Sequence, residues 1–293
     1  MESARYRRAI CFAILAAALY AINSPVSKLL LSEVSATMMA AFLYLGAGLG
    51  IFLMGLVQKA MGKGQQELPL SKKELPYTIG MVVLDIAAPI CLMLGLTMTT
   101  AANAALLNNF EIVATSLIAL FFFQEAISKR LWLAIVLVTL ASIILSVEDL
   151  SSFSFSLGSL LVLLACVCWG LENNCTRMLS NKNPLQIVVI KGFCSGLGSL
   201  LIALCIGEQI PAVAYIFGAL LLGFVAYGLS IFFYIYAQRD LGAAKTSTYY
   251  AVAPFIGVAL SLLLFQEWPS VSFVVALLIM ILGTYFASTD GQK

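Results

Sequence analysis

The sequence contains no histidine and few charged residues. Of its 293 residues, 10% are charged and 62% are hydrophobic, whereas ordinary soluble domains hold about 25% charged and about 45–50% apolar residues. A water-soluble globular protein is therefore excluded. The absence of histidine removes the commonest metal ligand and the usual general base near neutral pH, which argues against metal hydrolases and Ser/His catalytic triads.

Paired cysteines and long polar segments are also absent. The seven cysteines lie inside apolar stretches, without the spacing of a zinc site or a disulfide framework, so we expect small buried hydrophobic side chains. The connectors leave no room for a soluble catalytic domain, and the net charge of +2 indicates no nucleic-acid partner. The sequence predicts no metal site, no cofactor and no enzymatic activity.

The chain contains ten apolar stretches, each long enough to cross a bilayer as a helix. They are Ala9–Leu31, Ala36–Val57, Tyr77–Thr97, Ala101–Phe123, Leu131–Val147, Leu157–Met178, Leu185–Ile206, Val213–Ala237, Thr246–Phe265 and Ser270–Ser288. This pattern predicts an all-α membrane protein with ten transmembrane helices.

The basic residues fall on alternate connectors. Fourteen of the sixteen share one side: Arg5, Arg7, Arg8, Lys59, Lys63, Lys72, Lys73, Lys129, Arg130, Arg177, Lys182, Arg239, Lys245 and Lys293. The opposite connectors hold Glu33, Glu148, Asp149, Glu208 and Glu267, with Lys28 as the only basic residue near that face. By the positive-inside rule, both termini are expected in the cytoplasm.

The two halves resemble each other in sequence. Phe123-Gln124-Glu125 recurs as Phe265-Gln266-Glu267, Ala101-Ala102 as Ala243-Ala244, Gly48-Leu49-Gly50 as Gly196-Leu197-Gly198, and the segment Tyr20–Lys28 aligns with Trp169–Arg177. We predict two five-helix repeats, residues 9–147 and 157–288. Because each repeat crosses the membrane an odd number of times, the two have inverted topology, as in many secondary transporters.

These motifs give the chain a resemblance to the EamA type of the drug/metabolite transporter superfamily. The resemblance rests on Tyr20-Ala21-Ile22-Asn23-Ser24-Pro25, on Trp169-Gly170-Leu171-Glu172-Asn173, on Ala101–Leu106, and on Glu125 and Glu267. It implies a multi-pass permease of the bacterial cytoplasmic membrane, usually an exporter of amino acids, other metabolites or drugs. One departure is Glu111-Ile112, where family members often have proline; the ninth span keeps Pro254.

A few polar residues interrupt the apolar spans. An acidic residue at the centre of a membrane helix costs about 2.5–3.5 kcal/mol, so Asp85 is expected to face the interior or a water-filled cavity. It is a candidate site for a substrate amine or a proton; the alternative is a neutral carboxyl held by neighbouring helices. For Lys191 we expect snorkelling to the surface rather than pairing with an acidic residue.

The fourth span places Ala104, Asn108, Glu111 and Thr115 on one helix face. Glu111 is the first candidate for proton exchange. The alternative is that its carboxyl only helps to hold the helix bundle together, through a hydrogen bond with Asn109 or with a neighbouring helix. The ninth span offers Tyr249 and Tyr250 as residues that could contact a substrate or anchor the helix at the interface.

The sixth and first spans carry equivalent polar stripes. The stripes are Trp169, Glu172, Asn173 and Thr176 in the sixth span, and Tyr20, Asn23, Ser24 and Ser27 in the first. They predict either a shared cavity lining or two tight packing seams. Gly46, Gly48 and Gly50 are expected to permit close approach of helices.

Taken together, the pattern predicts a secondary active exporter of a small metabolite or drug-like compound, working by alternating access with a proton as candidate coupling ion. An uncoupled facilitator or an uptake permease stays open as an alternative. An intramembrane lipid-modifying enzyme is less favoured, because Asp85, Glu111 and Glu172 lie singly on separate helices. Short loops disfavour a receptor or scaffold. The partners are the bilayer and a small molecule, and a homodimer is compatible with the architecture.

Overall fold

The computed structural model describes residues 2–61, 68–124, 127–149, 154–179, 182–241, 246 and 249–289. The helices in this part of the chain are α1 (Glu2–Ala21), α2 (Asn23–Leu30), α3 (Ala36–Ala60), α4 (Leu75–Met98), α5 (Ala101–Leu107), α6 (Phe110–Phe123), α7 (Lys129–Ser146), α8 (Leu157–Leu179), α9 (Pro184–Ile190), α10 (Gly196–Cys205), α11 (Val213–Leu222), α12 (Ser230–Leu241), α13 (Ala253–Phe265) and α14 (Val271–Ser288). A 3₁₀ turn, Lys72–Glu74, precedes α4, and π-helical turns join α9 to α10 (Lys191–Ser195) and α11 to α12 (Gly223–Leu229).

Most of these helices combine into membrane-length segments. Within the described residues, nine helical segments are long and apolar enough to cross a bilayer, and α13 is a shorter apolar helix inside the predicted ninth span. Strands β1 (Val147–Asp149) and β2 (Ser154–Phe155) form a small antiparallel hairpin after α7. The prediction of an all-α membrane fold is confirmed, with this hairpin as a local addition between the halves.

The first and fourth predicted spans are each divided into two helices. The first breaks at Ile22, between α1, which ends at Ala21, and α2. In a continuous helix the ring of Pro25 would clash with the carbonyl group of Ala21, four residues earlier. The fourth breaks between α5 and α6, where the Asn109 amide donates to the Leu106 carbonyl oxygen at 3.1 Å. Asparagine side chains compete with backbone hydrogen bonds in this way.

Contacts among the described connector residues form two groups, one at each end of the bundle. At one end, called here the Lys28 end, a polar pocket of about 450 Å³ is lined by Lys28, residues 97–100, Asn103, Ser156 and Glu267. At the other end, the Lys182 end, the Lys182 ammonium lies 3.3 Å from Glu74. This grouping matches the alternation of connectors that the sequence predicts.

Each end also carries a contact between the two halves of the chain. At the Lys28 end, the Glu208 carboxylate accepts hydrogen bonds from Ser35 Oγ at 2.7 Å, from the Thr37 N–H at 3.2 Å and from the Met38 N–H at 2.7 Å. It thereby caps the N-terminus of α3, whose first N–H groups lack helical partners and carry the positive end of the helix dipole.

The corresponding contact at the Lys182 end involves the start of α9. There the Leu70 N–H donates to Gln186 Oε1 at 2.9 Å, and the Asn183 N–H donates to the Leu68 carbonyl oxygen at 2.9 Å. Thus the segment before α4 reaches the start of α9, and the segment before α11 reaches the start of α3.

Glycines let α3 pack closely against the second half. A Cβ on Gly46 would collide with the Leu220 backbone, one on Gly48 would lie 2.9 Å from the Phe193 nitrogen, and one on Gly50 would collide with the Phe224 ring. The prediction of close approach at these glycines is confirmed. In this arrangement α3 holds the π turn that begins at Lys191.

Two helix ends have the same local structure in both halves. Gln124 ends α6 with φ 56° and Gln266 ends α13 with φ 53°, and each adopts the left-handed conformation. The next helices begin alike, since Ser128 caps α7 and Ser270 caps α14. The Phe-Gln pair of the repeated motif therefore marks the same kind of helix end in both halves. Lys63, Glu125, Lys245, Lys293 and the Ala243-Ala244 pair lie outside the described residues, as do the side chains of Arg5, Glu148, Asp149 and Arg239.

Candidate functional site

An ion-paired cluster lies inside the bundle, where α4, α8 and the first π turn meet. The Lys191 ammonium nitrogen is 2.9 Å from Glu172 Oε1 and 3.2 Å from Asp85 Oδ2. Tyr44 of α3 donates its hydroxyl to Asp85 Oδ1 at 2.8 Å, and Thr176 donates to the Glu172 carboxylate. Two carboxyl groups therefore share one lysine in a site drawn from both halves of the chain.

The expectation that Lys191 snorkels to the surface is wrong. Its side chain is 11% exposed and points to Asp85 and Glu172, whose side chains are 0% and 3% exposed. Burying an unpaired charge costs much free energy. The Lys191 side chain can stay buried because it pairs with two carboxyl groups. The view of Asp85 and Glu172 as solitary residues is wrong for the same reason.

A second polar group lies where α6 meets α8. Asn173 donates from Nδ2 to Glu111 Oε1 at 2.6 Å and to Thr115 Oγ1 at 3.4 Å. The next residue, Asn174, donates to the Thr115 carbonyl oxygen at 3.3 Å. Since Glu172 and Asn173 are consecutive, α8 presents one side chain to Lys191 and the next to Glu111.

Asn108 belongs to the same side of the fourth span. It is 8% exposed, and the Sγ atom of Cys166 on α8 lies 4.0 Å from its Oδ1 atom, at the limit of a weak hydrogen bond. Asn108, Glu111 and Thr115 therefore all contact α8, despite the break between α5 and α6. The shared face predicted from their spacing is present in the structure.

A row of tyrosine rings crosses the interior beside these polar groups. The ring centroids of Tyr44 and Tyr227 are 5.2 Å apart, those of Tyr227 and Tyr20 are 5.9 Å apart, and those of Tyr20 and Tyr250 are 6.0 Å apart. Tyr234 extends the row at 5.0 Å from Tyr250. Tyr44 and Tyr20 come from the first half of the chain, and Tyr227, Tyr250 and Tyr234 come from the second.

The remaining candidates take different positions around this row. Asn23 donates to the Tyr227 hydroxyl at 3.2 Å, and Trp169, which is 6% exposed, packs in the same core cluster as Tyr44 and Tyr227. Tyr250 lies within the row, whereas Tyr249 packs against a separate cluster of Ala9, Ala13 and Ala237.

Sequence reasoning missed Tyr44 and Tyr227. Both are almost fully buried, and a buried tyrosine hydroxyl usually has a hydrogen-bond partner; here the partners are Asp85 and Asn23. A tyrosine in the middle of an apolar span is the only signal that the sequence offers for such a position.

Comparison with known proteins agrees with this architecture. The sequence profile of the EamA-like transporter family matches residues 7–147 and 156–289. An uncharacterized transporter of Methanothermobacter thermautotrophicus is 24% identical over 294 residues, 95% of this chain and 85% of that protein. The uncharacterized transporter YyaM of Bacillus subtilis is 20% identical over 68% of each chain.

A solved crystal structure also shows the same fold. It covers 95% of this chain and 95% of its own, with a TM-score of 0.68 and 16% sequence identity. Because the family profile matches nearly the whole length of the sequence, the chain belongs to the EamA-like transporter family.

Proposed function

We propose that the protein is a secondary transporter that exports a small metabolite by alternating access, with Glu111 as the proton-coupling group. The observation that carries this proposal is the hydrogen bond between Glu111 of α6 and Asn173 of α8. It joins the two halves of the chain beside the tyrosine row. Transporters built from repeats place their substrate sites where the repeats meet, near the middle of the bilayer.

Inverted repeats are part of the proposal. We take residues 9–147 and 157–288 as the two units, supported by the matching helix ends at Gln124 and Gln266 and by the matching caps at Ser128 and Ser270. Two similar units of opposite topology can exchange conformations, so that an outward-open and an inward-open state have similar free energies.

The contacts at the two ends support alternating access. Glu208 joins the second half to α3 at the Lys28 end, and Gln186 joins α9 to Leu70 at the Lys182 end. Each contact joins the two halves at one end of the bundle, and each uses few hydrogen bonds, which transport can break in turn. We take the Lys182 end, rich in basic residues, as cytoplasmic.

The surroundings of Glu111 support proton coupling. Asn173 donates a hydrogen bond to it, and the groups that interact with it electrostatically are Glu172, Lys191, Cys166, Tyr20, Tyr227 and Tyr250. A carboxylate in the membrane interior is costly unless it is neutralised. The lysine of this group is ion-paired with two other carboxyls, so a proton is the simplest charge compensation for Glu111.

The first experiment compares metabolites in cells that express the wild-type chain, the Glu111→Gln variant or neither, at equal protein levels in the membrane. We expect at least one compound to be depleted inside wild-type cells and enriched outside them, with the effect lost in Glu111→Gln. Accumulation inside the cells would instead favour uptake. A chemically altered lipid, with no compound redistributed, would favour an intramembrane enzyme and contradict the proposal.

A further inference from the structure

The interior of the bundle holds more acidic than basic groups. Away from the ends of the described membrane-length segments, the ionisable carboxyls are Asp85, Glu111 and Glu172, and the only basic residue is Lys191. Lys191 is ion-paired with two of the three carboxyls. An anionic ligand at this site would therefore meet carboxylates and find no uncommitted ammonium in the described interior.

Glu111 is the carboxyl best placed to meet a ligand. Its hydrogen-bond donor is the neutral amide of Asn173 at 2.6 Å, and it forms no ion pair among the described residues. The residue is only partly buried, and its carboxyl contacts α8. A cation that approached Glu111 would be attracted without displacing a competing charge.

The tyrosine row provides the second feature of a cation site. The row begins at Tyr44, whose hydroxyl donates to Asp85 in the ion-paired cluster, and Glu172 of that cluster directly precedes Asn173, the donor to Glu111. The Glu111 carboxyl also interacts electrostatically with Tyr20, Tyr227 and Tyr250. Aromatic faces carry partial negative charge and attract ammonium groups within about 6 Å of the ring centroid. Weakly hydrated organic ammonium ions gain most from such surroundings, since they give up little hydration.

We propose that the substrate is an organic ammonium cation with an apolar or aromatic body and no negatively charged group, bound between Glu111 and the tyrosine row. This inference rests on the proposed transport function and names its substrate class. It separates this chain from carriers of acidic or zwitterionic metabolites, whose carboxylates would need a free cationic partner in the interior.

Equilibrium binding to the purified full-length chain in detergent tests the inference. The probes share a phenyl ring and differ in charge: benzyltrimethylammonium is a cation, phenylalanine a zwitterion and phenylacetate an anion. We expect saturable binding of benzyltrimethylammonium and at least about tenfold weaker binding of the other two. This comparison uses the wild-type protein and needs no variant to fold.

Variants then locate the site. Glu111→Gln removes the negative charge that pairs with the bound cation. Loss of one partner of a desolvated charge pair lowers affinity strongly, so we expect benzyltrimethylammonium to bind at least about thirtyfold more weakly. Loss of one aromatic face in Tyr20→Leu weakens it about three- to tenfold, and Tyr20→Phe, which keeps the ring, loses less. The matched control is Glu33→Gln, an exposed carboxyl at the Lys28 end, which leaves binding unchanged.

Three results would overturn the inference: no saturable binding of benzyltrimethylammonium, equal or tighter binding of phenylacetate or phenylalanine, or cation binding unaffected by both Glu111→Gln and Tyr20→Leu. Flux measurements in liposomes separate this failure from that of the proposed function. Selective cation binding without flux would contradict transport and leave the site standing. Saturable flux of an anion would contradict the substrate class and leave transport standing.

Discussion

The ammonium nitrogen of Lys191 lies 2.9 Å from Oε1 of Glu172, inside a bundle whose surface faces lipid. This contact joins the π turn after α9 to α8, and Asp85 joins the same lysine to α4. Three elements are thus held by one buried charge, next to the α8 residue that contacts Glu111.

The first prediction concerns this buried lysine. Replacing it in Lys191→Met leaves two carboxyl groups without their cation, and breaking a buried ion pair costs about 3–5 kcal/mol. We expect a large loss of thermal stability in detergent, recovered in part when Asp85→Asn and Glu172→Gln are added. The control is Lys182→Met, which breaks the more exposed pair with Glu74. Equal stability of the two single variants would contradict the buried cluster.

The second prediction concerns the close packing of α3. In Gly48→Ala the new Cβ would lie 2.9 Å from the Phe193 nitrogen and 3.0 Å from the Gly192 carbonyl carbon. The π turn must move, and overpacking of this kind costs about 1–3 kcal/mol. Gly55→Ala, in the same helix, has no neighbouring atom within 4 Å, and it gains roughly 1 kcal/mol of helix propensity.

Thermal unfolding of both glycine variants in the same detergent provides the measurement. We expect a lower midpoint for Gly48→Ala and an unchanged or higher one for Gly55→Ala. A midpoint for Gly48→Ala at or above the wild-type value would show that α3 and the π turn do not pack as described.

The membrane-spanning helices could be predicted from sequence because apolar length is a local property. The shared face of Asn108, Glu111 and Thr115 could be predicted because helical spacing is local too. The choice between snorkelling and pairing for Lys191 could not, because it depends on which helices become neighbours. The same limit hid Tyr44, whose hydroxyl binds a carboxyl on another helix.

The third prediction concerns the contact between Glu208 and the start of α3 at the Lys28 end. Glu208→Ala removes the carboxylate that caps α3, and loss of such a cap costs about 0.5–2 kcal/mol. We expect faster hydrogen exchange at the Thr37 and Met38 amides, because their acceptor is lost. Glu33→Ala, an exposed neighbour at the same end, serves as control. Unchanged exchange at both amides in Glu208→Ala would contradict the cap.

The fourth prediction concerns topology. Reporter fusions after Lys182 and after Glu148 should map to opposite sides of the membrane, with the Lys182 side cytoplasmic, because the two connectors are separated by a single crossing, α8. An alkaline phosphatase fusion and a fluorescent protein fusion at each site give complementary signals. If both segments map to one compartment, the inverted arrangement of the halves fails.

The most direct measurement of the central claim is flux in liposomes reconstituted with the purified chain, using the compound that the metabolite comparison identifies. We expect saturable flux that accelerates when a proton gradient is imposed, and loss of that acceleration in Glu111→Gln. Flux that stays fully coupled to the gradient in both Glu111→Gln and Asp85→Asn would contradict the assignment of the coupling proton. The absence of any saturable flux by the wild-type protein would contradict transport itself.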